Sequence, residues 1–174
     1  MESLSLRDIR TLSSISTLEH QLKWLVYEYE TLIHQRLPAC SEAVGHPVET
    51  CCVILDVQDV SAISFPHIVD YVTQAISIGR DRYPECTGKY YVINAPRGYS
   101  VVWNVAEKLL SKADAARIDI LGASYKDTLL KQIDEENLPS YLGGKCDCPG
   151  GCSLSDAGPW NPKDELKGKI AKSS

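Results

Sequence analysis

The stretch "GGKCDCPGGC" gathers three cysteines, Cys146, Cys148 and Cys152, into one loop rich in Gly and Pro. Three thiolates so spaced could form part of a zinc site, since zinc takes four sulfur or nitrogen ligands. They could equally close a loop disulfide, or stay free. The spacing is not C-x-x-C and no fourth ligand stands nearby, so free loop thiols and no bound metal are the expectation. The histidines, His20, His34, His46 and His67, are scattered. None pairs by spacing with a Cys, Asp or Glu as a catalytic or zinc site requires. Glu135 and Glu136 are adjacent on a polar segment and read as solvated charge, not an acid/base pair. GxGxxG, Walker, GxSxG and HExxH motifs are absent. These residues point away from an enzyme, and no cofactor is expected.

Those residues need a scaffold. At 174 residues the chain fits one domain with a sizeable core. Hydrophobic residues at 44% and charged residues at 24% are ordinary for a globular protein. A net charge of −5, with no basic stripe, argues against nucleic acid, whose phosphates demand clustered Lys and Arg. No window holds the roughly 18 to 20 apolar residues of a spanning helix. The first ten residues lack the apolar core of a signal peptide. Seven cysteines suit a disulfide framework poorly, so a reducing cytoplasm is the expected setting.

Ser16-Thr17-Leu18-Glu19 has capping-box spacing. Leu18, Leu22, Leu25, Tyr29 and Leu32 then recur at steps of three or four, which predicts a helix to about Arg36, ending before Pro38. "CCVILDV", residues 51–57, is a nearly continuous apolar run of the kind that lies in a parallel sheet covered on both faces. Ser64 is placed to cap a second helix carrying Ile68, Val69, Val72, Ala75 and Ile76 and ending near Gly79. A strand at 89–94, a helix rich in apolar residues, a strand at 118–124 and a helix over "DTLLKQI" follow. The alternation predicts an α/β fold with mostly parallel strands. Past Lys145 the composition shifts to Gly, Pro, Ser and Lys, and 161–174 read as a flexible tail.

The junction "YYVINAPRGYSVVWNVAEKLL" is unusual. A strand entering a helix this way commonly presents a nucleophile or a phosphate loop; here neither is present, and the helix that follows is apolar on more than one side.

Taken together, "RLPACS", "VETCCVILDV", "IGRDRYPECTGKYYVINAPRGYS", "ILGASYKDTLLKQIDEENLPSYLGG" and "SDAGPW" resemble the lipid-binding lobe of CRAL-TRIO proteins. They are most similar to the phosphatidylinositol/phosphatidylcholine transfer branch, over about residues 20–160. The resemblance implies a mixed, mostly parallel sheet flooring a hydrophobic lipid pocket, covered by helices that include a gate. The lobe would take in residues 1–160. The helix from about Tyr99 to Leu110 would be the gate, with Val101, Val102, Trp103, Val105, Leu109 and Leu110 meeting acyl chains. Gly122, Gly143 and Gly144 would belong to its hinge.

The resemblance also implies headgroup positions, and several depart from the pattern. Tyr29 and Glu85 are kept. Cys86 stands where an arginine follows "YPE", Arg117 replaces a lysine, and Asp114 replaces a hydroxyl. Cys51 and Val53 replace two hydroxyl residues of a strand. An altered headgroup preference follows. The family's small helical N-terminal domain and opening strand pair have no clear counterpart in "MESLSLRDIRTLSSIS", so a truncated lobe with an unpaired sheet edge is expected. The implied activity is non-enzymatic binding and transfer of a phospholipid by a cytoplasmic monomer that visits Golgi or endosomal membranes. A scaffold that kept the fold and lost lipid exchange is the alternative.

Overall fold

The computed structural model describes residues 2–5, 16–58, 65–84, 86–96, 99, 103–104 and 107–161. Four strands, β1 (Glu2–Ser5), β2 (Cys51–Asp56), β3 (Thr87–Ile93) and β4 (Ile118–Ile120), form one sheet in that order. Every pairing is parallel. The expected edge gap beside β2 is therefore filled: Glu2–Ser5 pairs in parallel register with Val53–Asp56. The strict alternation of Ser3-Leu4-Ser5-Leu6 was the available signal, and an open row of β2 main-chain groups is the driving force. β4 is shorter than expected and stops at Ile120.

Register decides which residues share a face. Val53, Tyr90 and Ile118 are paired across β2, β3 and β4, as are Leu55, Val92 and Ile120. Ile54, Tyr91 and Asp119 form the alternate row. Successive side chains point to opposite faces, so the sheet has two distinct sides. On the side of the alternate row, Ile54 and Ile93 are fully buried and Tyr91 is 2% exposed. Lys89 borders that side, paired with Asp119 at 2.9 Å and lying 5.7 Å from the Tyr91 ring centroid. On the other side Val92 and Val57 are buried, while Val53, Leu55, Tyr90, Ile118 and Ile120 are half-buried.

The chain divides into two compact units. The sheet lies in the first, Met1–Glu30 with Thr50–Tyr125; the second is Thr31–Glu49 with Lys126–Ser174. Helix α1 (Leu18–Thr31) begins one residue later than the capping box predicts. Thr17 is the cap, its Oγ1 accepting from the His20 amide at 3.3 Å, and Glu19 pairs instead with Lys23 at 2.7 Å. The helical backbone also continues past Pro38. A π-turn over Leu32–Arg36 leads directly into α2 (Leu37–Val44), with Pro38 in the first turn of α2. Proline lacks the amide an α-helix interior needs; widening the turn, with Leu37 N–H bonding the Leu32 carbonyl, moves it to a first-turn position where none is required. Gly45 at φ 75° then ends α2.

Helix α3 (Phe65–Arg82) runs three residues past Gly79, and Ser64 lies outside the described residues. Short helix α4 (Lys112–Ala115) precedes β4. The predicted "DTLLKQI" helix is a single turn, α5 (Lys126–Leu129), followed by turns. The second unit packs on Leu32, Leu129, Leu138 and Leu142. Its Trp160 covers Gly158, donates from Nε1 to Asp156 Oδ1 at 2.9 Å and lies under Arg36 at 5.6 Å, which explains "SDAGPW" as a folded turn. The tail at 161–174 falls, beyond Asn161, outside the described residues.

Gly143 and Gly144 are structurally required in different ways. Gly143 takes φ 92° at the end of a 3-10 turn. A Cβ on Gly144 would drive into the Leu138 carbonyl oxygen. At Gly122 a Cβ meets nothing within 4 Å. Gly144→Ala should therefore lower stability by about 3 kcal/mol or more, as severe overpacking does, while Gly122→Ala stays within about 0.5 kcal/mol. Urea-unfolding midpoints of the two variants check the contrast.

Candidate functional site

The strand ends are held by a polar lock. Asn94, directly after β3, adopts φ 57° and donates from Nδ2 to Asp56 Oδ1 at 2.9 Å. The same oxygen accepts from the Gln58 amide at 2.9 Å. Asp56 is buried, and a buried carboxylate needs such donors. Asparagine tolerates the left-handed conformation better than most residues, so the chain can turn sharply away from the sheet. Ala95 returns to bond the Leu121 carbonyl at 3.0 Å. This resolves the chemistry-free junction: its polar residues shape the exit from the sheet.

Beyond the turn, Tyr99 lies on the half-open sheet face with Ala95, packed against the cluster of Val57 and Val92 to which Leu55, Ile118 and Ile120 also belong. Burial pushes the Tyr99 hydroxyl pKa upward. Trp103 is helical and half-buried, its amide bonding the Tyr99 carbonyl at 3.1 Å. Leu110 is half-buried and follows a 3-10 turn, Glu107–Leu109. Val101, Val102 and Val105 lie outside the described residues, as does the side chain of Leu109. The expected helix over 99–110 is thus described only in part, with α-helical backbone at 103–104 and a 3-10 turn near its end.

At the opposite end of the same face sits a group of tyrosines. The Tyr29 ring stacks on Tyr83, with centroids 4.6 Å apart and planes at 10°. Its hydroxyl shares a hydrogen bond of 3.3 Å with that of Tyr90, the partner of Val53 in the sheet. Tyr83 donates to Glu30 Oε1 at 2.5 Å, which pulls its pKa above the ordinary tyrosine range. A Cβ on Gly79 would stand 3.2 Å from the Tyr29 hydroxyl, so the glycine makes room for it. Tyr71 has its pKa raised by burial, with Tyr90 a lesser cause. The face therefore runs from a hydroxyl-bearing end to an aliphatic end.

Cys51 and Cys86, separated in sequence, meet through the main chain: Cys51 N–H donates to the Cys86 carbonyl at 2.9 Å, beside a register shift between Cys51 and Cys52. Glu85 lies outside the described residues. Asp114 is engaged locally, accepting from the Ser111 hydroxyl at 2.6 Å while its own amide donates back to that hydroxyl at 3.1 Å. Arg117 is exposed, and its carbonyl accepts from the Tyr90 amide at 2.9 Å. The structure thus brings Tyr29 and Val53 together around Tyr90, and Cys51 beside Cys86. It holds the Asp114 carboxylate in a helix cap. Tyr90 and Tyr99, missed as site residues, were detectable: Tyr90 and Val92 alternate in one strand, and Tyr99 follows the "INAP" turn.

The three loop cysteines form a separate cluster in the second unit. Their Sγ atoms all lie within 4.8 Å of one another. Cys146 Sγ is 3.7 Å from both Cys148 Sγ and Cys152 Sγ. Burial, with the neighbouring thiols, pushes the Cys146 thiol up to about 12. Hydrogen bonds from Ser155 and the other two thiols draw Cys148 downward.

The CRAL/TRIO domain family model matches residues 5–144. The Sec14 cytosolic factor of Schizosaccharomyces pombe is 48% identical over 161 residues, covering 92% of this chain and 56% of that protein. The phosphatidylinositol/phosphatidylcholine transfer protein SFH12 of Arabidopsis thaliana is 35% identical over 170 residues, covering 96% of this chain and 31% of its own length. A crystal structure of Sfh5 superimposes with a TM-score of 0.47 at 18% identity, over 72% of this chain and 44% of that one. The chain spans little more than half the length of the Schizosaccharomyces pombe protein and about a third of the Arabidopsis thaliana one. From the family match and the residues that carry it, the chain belongs to the CRAL/TRIO domain family.

Proposed function

We propose that the chain binds a phospholipid and exchanges it between membranes, without covalent chemistry. The observation that carries this reading is the half-open apolar sheet face, with Val53, Leu55, Ile118 and Ile120 only partly buried while Ile54, Tyr91 and Ile93 of the opposite face are buried. Each lipid methylene exposed to water costs about 0.8 kcal/mol, so two acyl chains of some thirty methylenes cost roughly 25 kcal/mol. Only an apolar floor and a cover can offset that. The face serves as such a floor in this proposal, and the segment from Tyr99 to Leu110, of which Trp103 and Leu110 are half-buried, serves as its cover. The relatives support it too, since they are named phosphatidylinositol/phosphatidylcholine transfer protein and cytosolic factor.

In this reading the lobe takes in residues 1–160, and 161–174 form a tail. The chain works as a cytoplasmic monomer meeting Golgi or endosomal membranes briefly. Among the described residues no helix is long and apolar enough to cross a membrane, which fits a carrier that touches the surface and leaves. Tyr29, with Tyr90 behind it, holds the headgroup end. Cys51, Val53 and Cys86 give that end fewer hydroxyl and guanidinium donors than the family pattern, in which Glu85, Asp114 and Arg117 are further headgroup positions by resemblance. A phosphate entering a partly buried site needs such donors, so headgroup preference shifts toward less polar lipids. The same losses favour a second reading, a scaffold that keeps the fold without exchanging lipid.

Mass spectrometry of the purified chain should find near-stoichiometric phospholipid; lipid-free protein would favour the scaffold. Restoring hydroxyls with Cys51→Ser and Val53→Thr together should raise phosphatidylcholine capture by about tenfold or more, taking each recovered hydrogen bond as about 1 kcal/mol. Capture from mixed vesicles measures it, and an unchanged ratio removes the headgroup assignment.

A further inference from the structure

The cysteine cluster belongs to the second unit and lies in sequence beyond residue 144, where the family match ends. Its anchoring is firm. Cys146 bridges to Pro139, its amide donating to the Leu138 carbonyl at 3.0 Å and its carbonyl accepting from Ser140 at 2.9 Å. Leu138 is fully buried, so the first thiol is fixed to the core of its unit. Gly150 and Gly151, at φ 85° and 90°, then reverse the chain and return Cys152 to the other two. Consecutive positive φ values are costly for any residue but glycine, so the loop is built to close.

The sulfur spacing separates the possible occupants. A disulfide needs its sulfurs about 2.0 Å apart, and any one pairing here strands the third thiol. Zinc–sulfur bonds of about 2.3 Å in a tetrahedral array put neighbouring sulfurs about 3.8 Å apart, against the 3.7 Å seen twice here. The Cys148 amide already donates to Cys152 Sγ at 3.3 Å, the outer-shell contact that stabilises a metal-bound thiolate. All three sulfurs are partly buried. Among the described residues no further His, Cys, Asp or Glu joins the group.

We propose that Cys146, Cys148 and Cys152 bind a zinc ion as three thiolates, with the fourth position open to water or an added ligand. This revises the expectation of free thiols, which rested on sequence spacing and the lack of a fourth protein ligand. Binding releases the three thiol protons to solvent, leaving a zinc–trithiolate of net charge −1, and its affinity falls as pH is lowered. The ion staples the loop from Pro139 to Cys152 onto the second unit. The proposal is independent of lipid binding.

The test uses the full chain, purified under reducing conditions and loaded with zinc alone. Metal analysis after gel filtration should give zinc at unit stoichiometry, lost in Cys148→Ser and Cys152→Ser and kept in Cys40→Ser. Cobalt(II) on the wild-type chain should give the sulfur charge-transfer and intense d–d absorption of a tetrahedral site, so the test survives if a variant fails to fold. A chelator should lower the melting temperature of the wild-type chain only. Zinc at background level, weak octahedral cobalt spectra, or a disulfide between two of the three in protein kept reduced would each overturn the proposal, whatever the lipid result.

Discussion

Strands with alternating side chains must divide their residues between two faces, and in a parallel sheet both faces ordinarily vanish beneath helices. Here the division is unequal. Ile54, Tyr91 and Ile93 are sealed, while Val53, Leu55, Ile118 and Ile120 keep part of their apolar surface accessible. The closed face supplies the packing that lets the other stay unsatisfied, so stability and ligand capacity are carried by opposite sides of the same few strands.

The polar residues of the first unit serve this division. Asp56 and Asn94 terminate two neighbouring strands at one level and turn the chain toward the accessible face, where Tyr99 settles. At the other end Tyr29, Tyr83, Glu30 and Tyr90 form a connected set of stacked rings and hydroxyls. Their hydrogen bonds satisfy groups that would otherwise be costly to bury. The result is a gradient from hydroxyl-bearing to aliphatic surface, matching a molecule with one polar and one oily end.

Much of this was legible in the sequence. The apolar runs of β2 and β3 placed both strands to within two residues, because continuous β-branched and aromatic runs suit little else than a central parallel strand. The family motifs pointed to the lipid lobe where composition alone could not. Three features were hidden. The π-turn at Leu32–Arg36 depends on how a missing proline amide is accommodated, which helical periodicity does not report. β1 is too short for its pattern to stand out. The cysteine cluster depends on two left-handed glycines and a bridge to Pro139, so its sulfurs converge in space without a recognisable ligand spacing. Asp114 shows the reverse case: a charge standing where the family pattern has a hydroxyl is occupied by its own Ser111 cap.

The lock between Asp56 and Asn94 also bears on how this chain can change over generations. Asparagine there meets two demands at once, a backbone twist that few residues accept and an amide that answers a carboxylate thirty-eight positions earlier. Replacing Asn94 removes one of the two donors to the buried Asp56 oxygen, and replacing Asp56 removes the acceptor of the Asn94 amide. The two sites should therefore be inherited as a couple, drifting together or not at all.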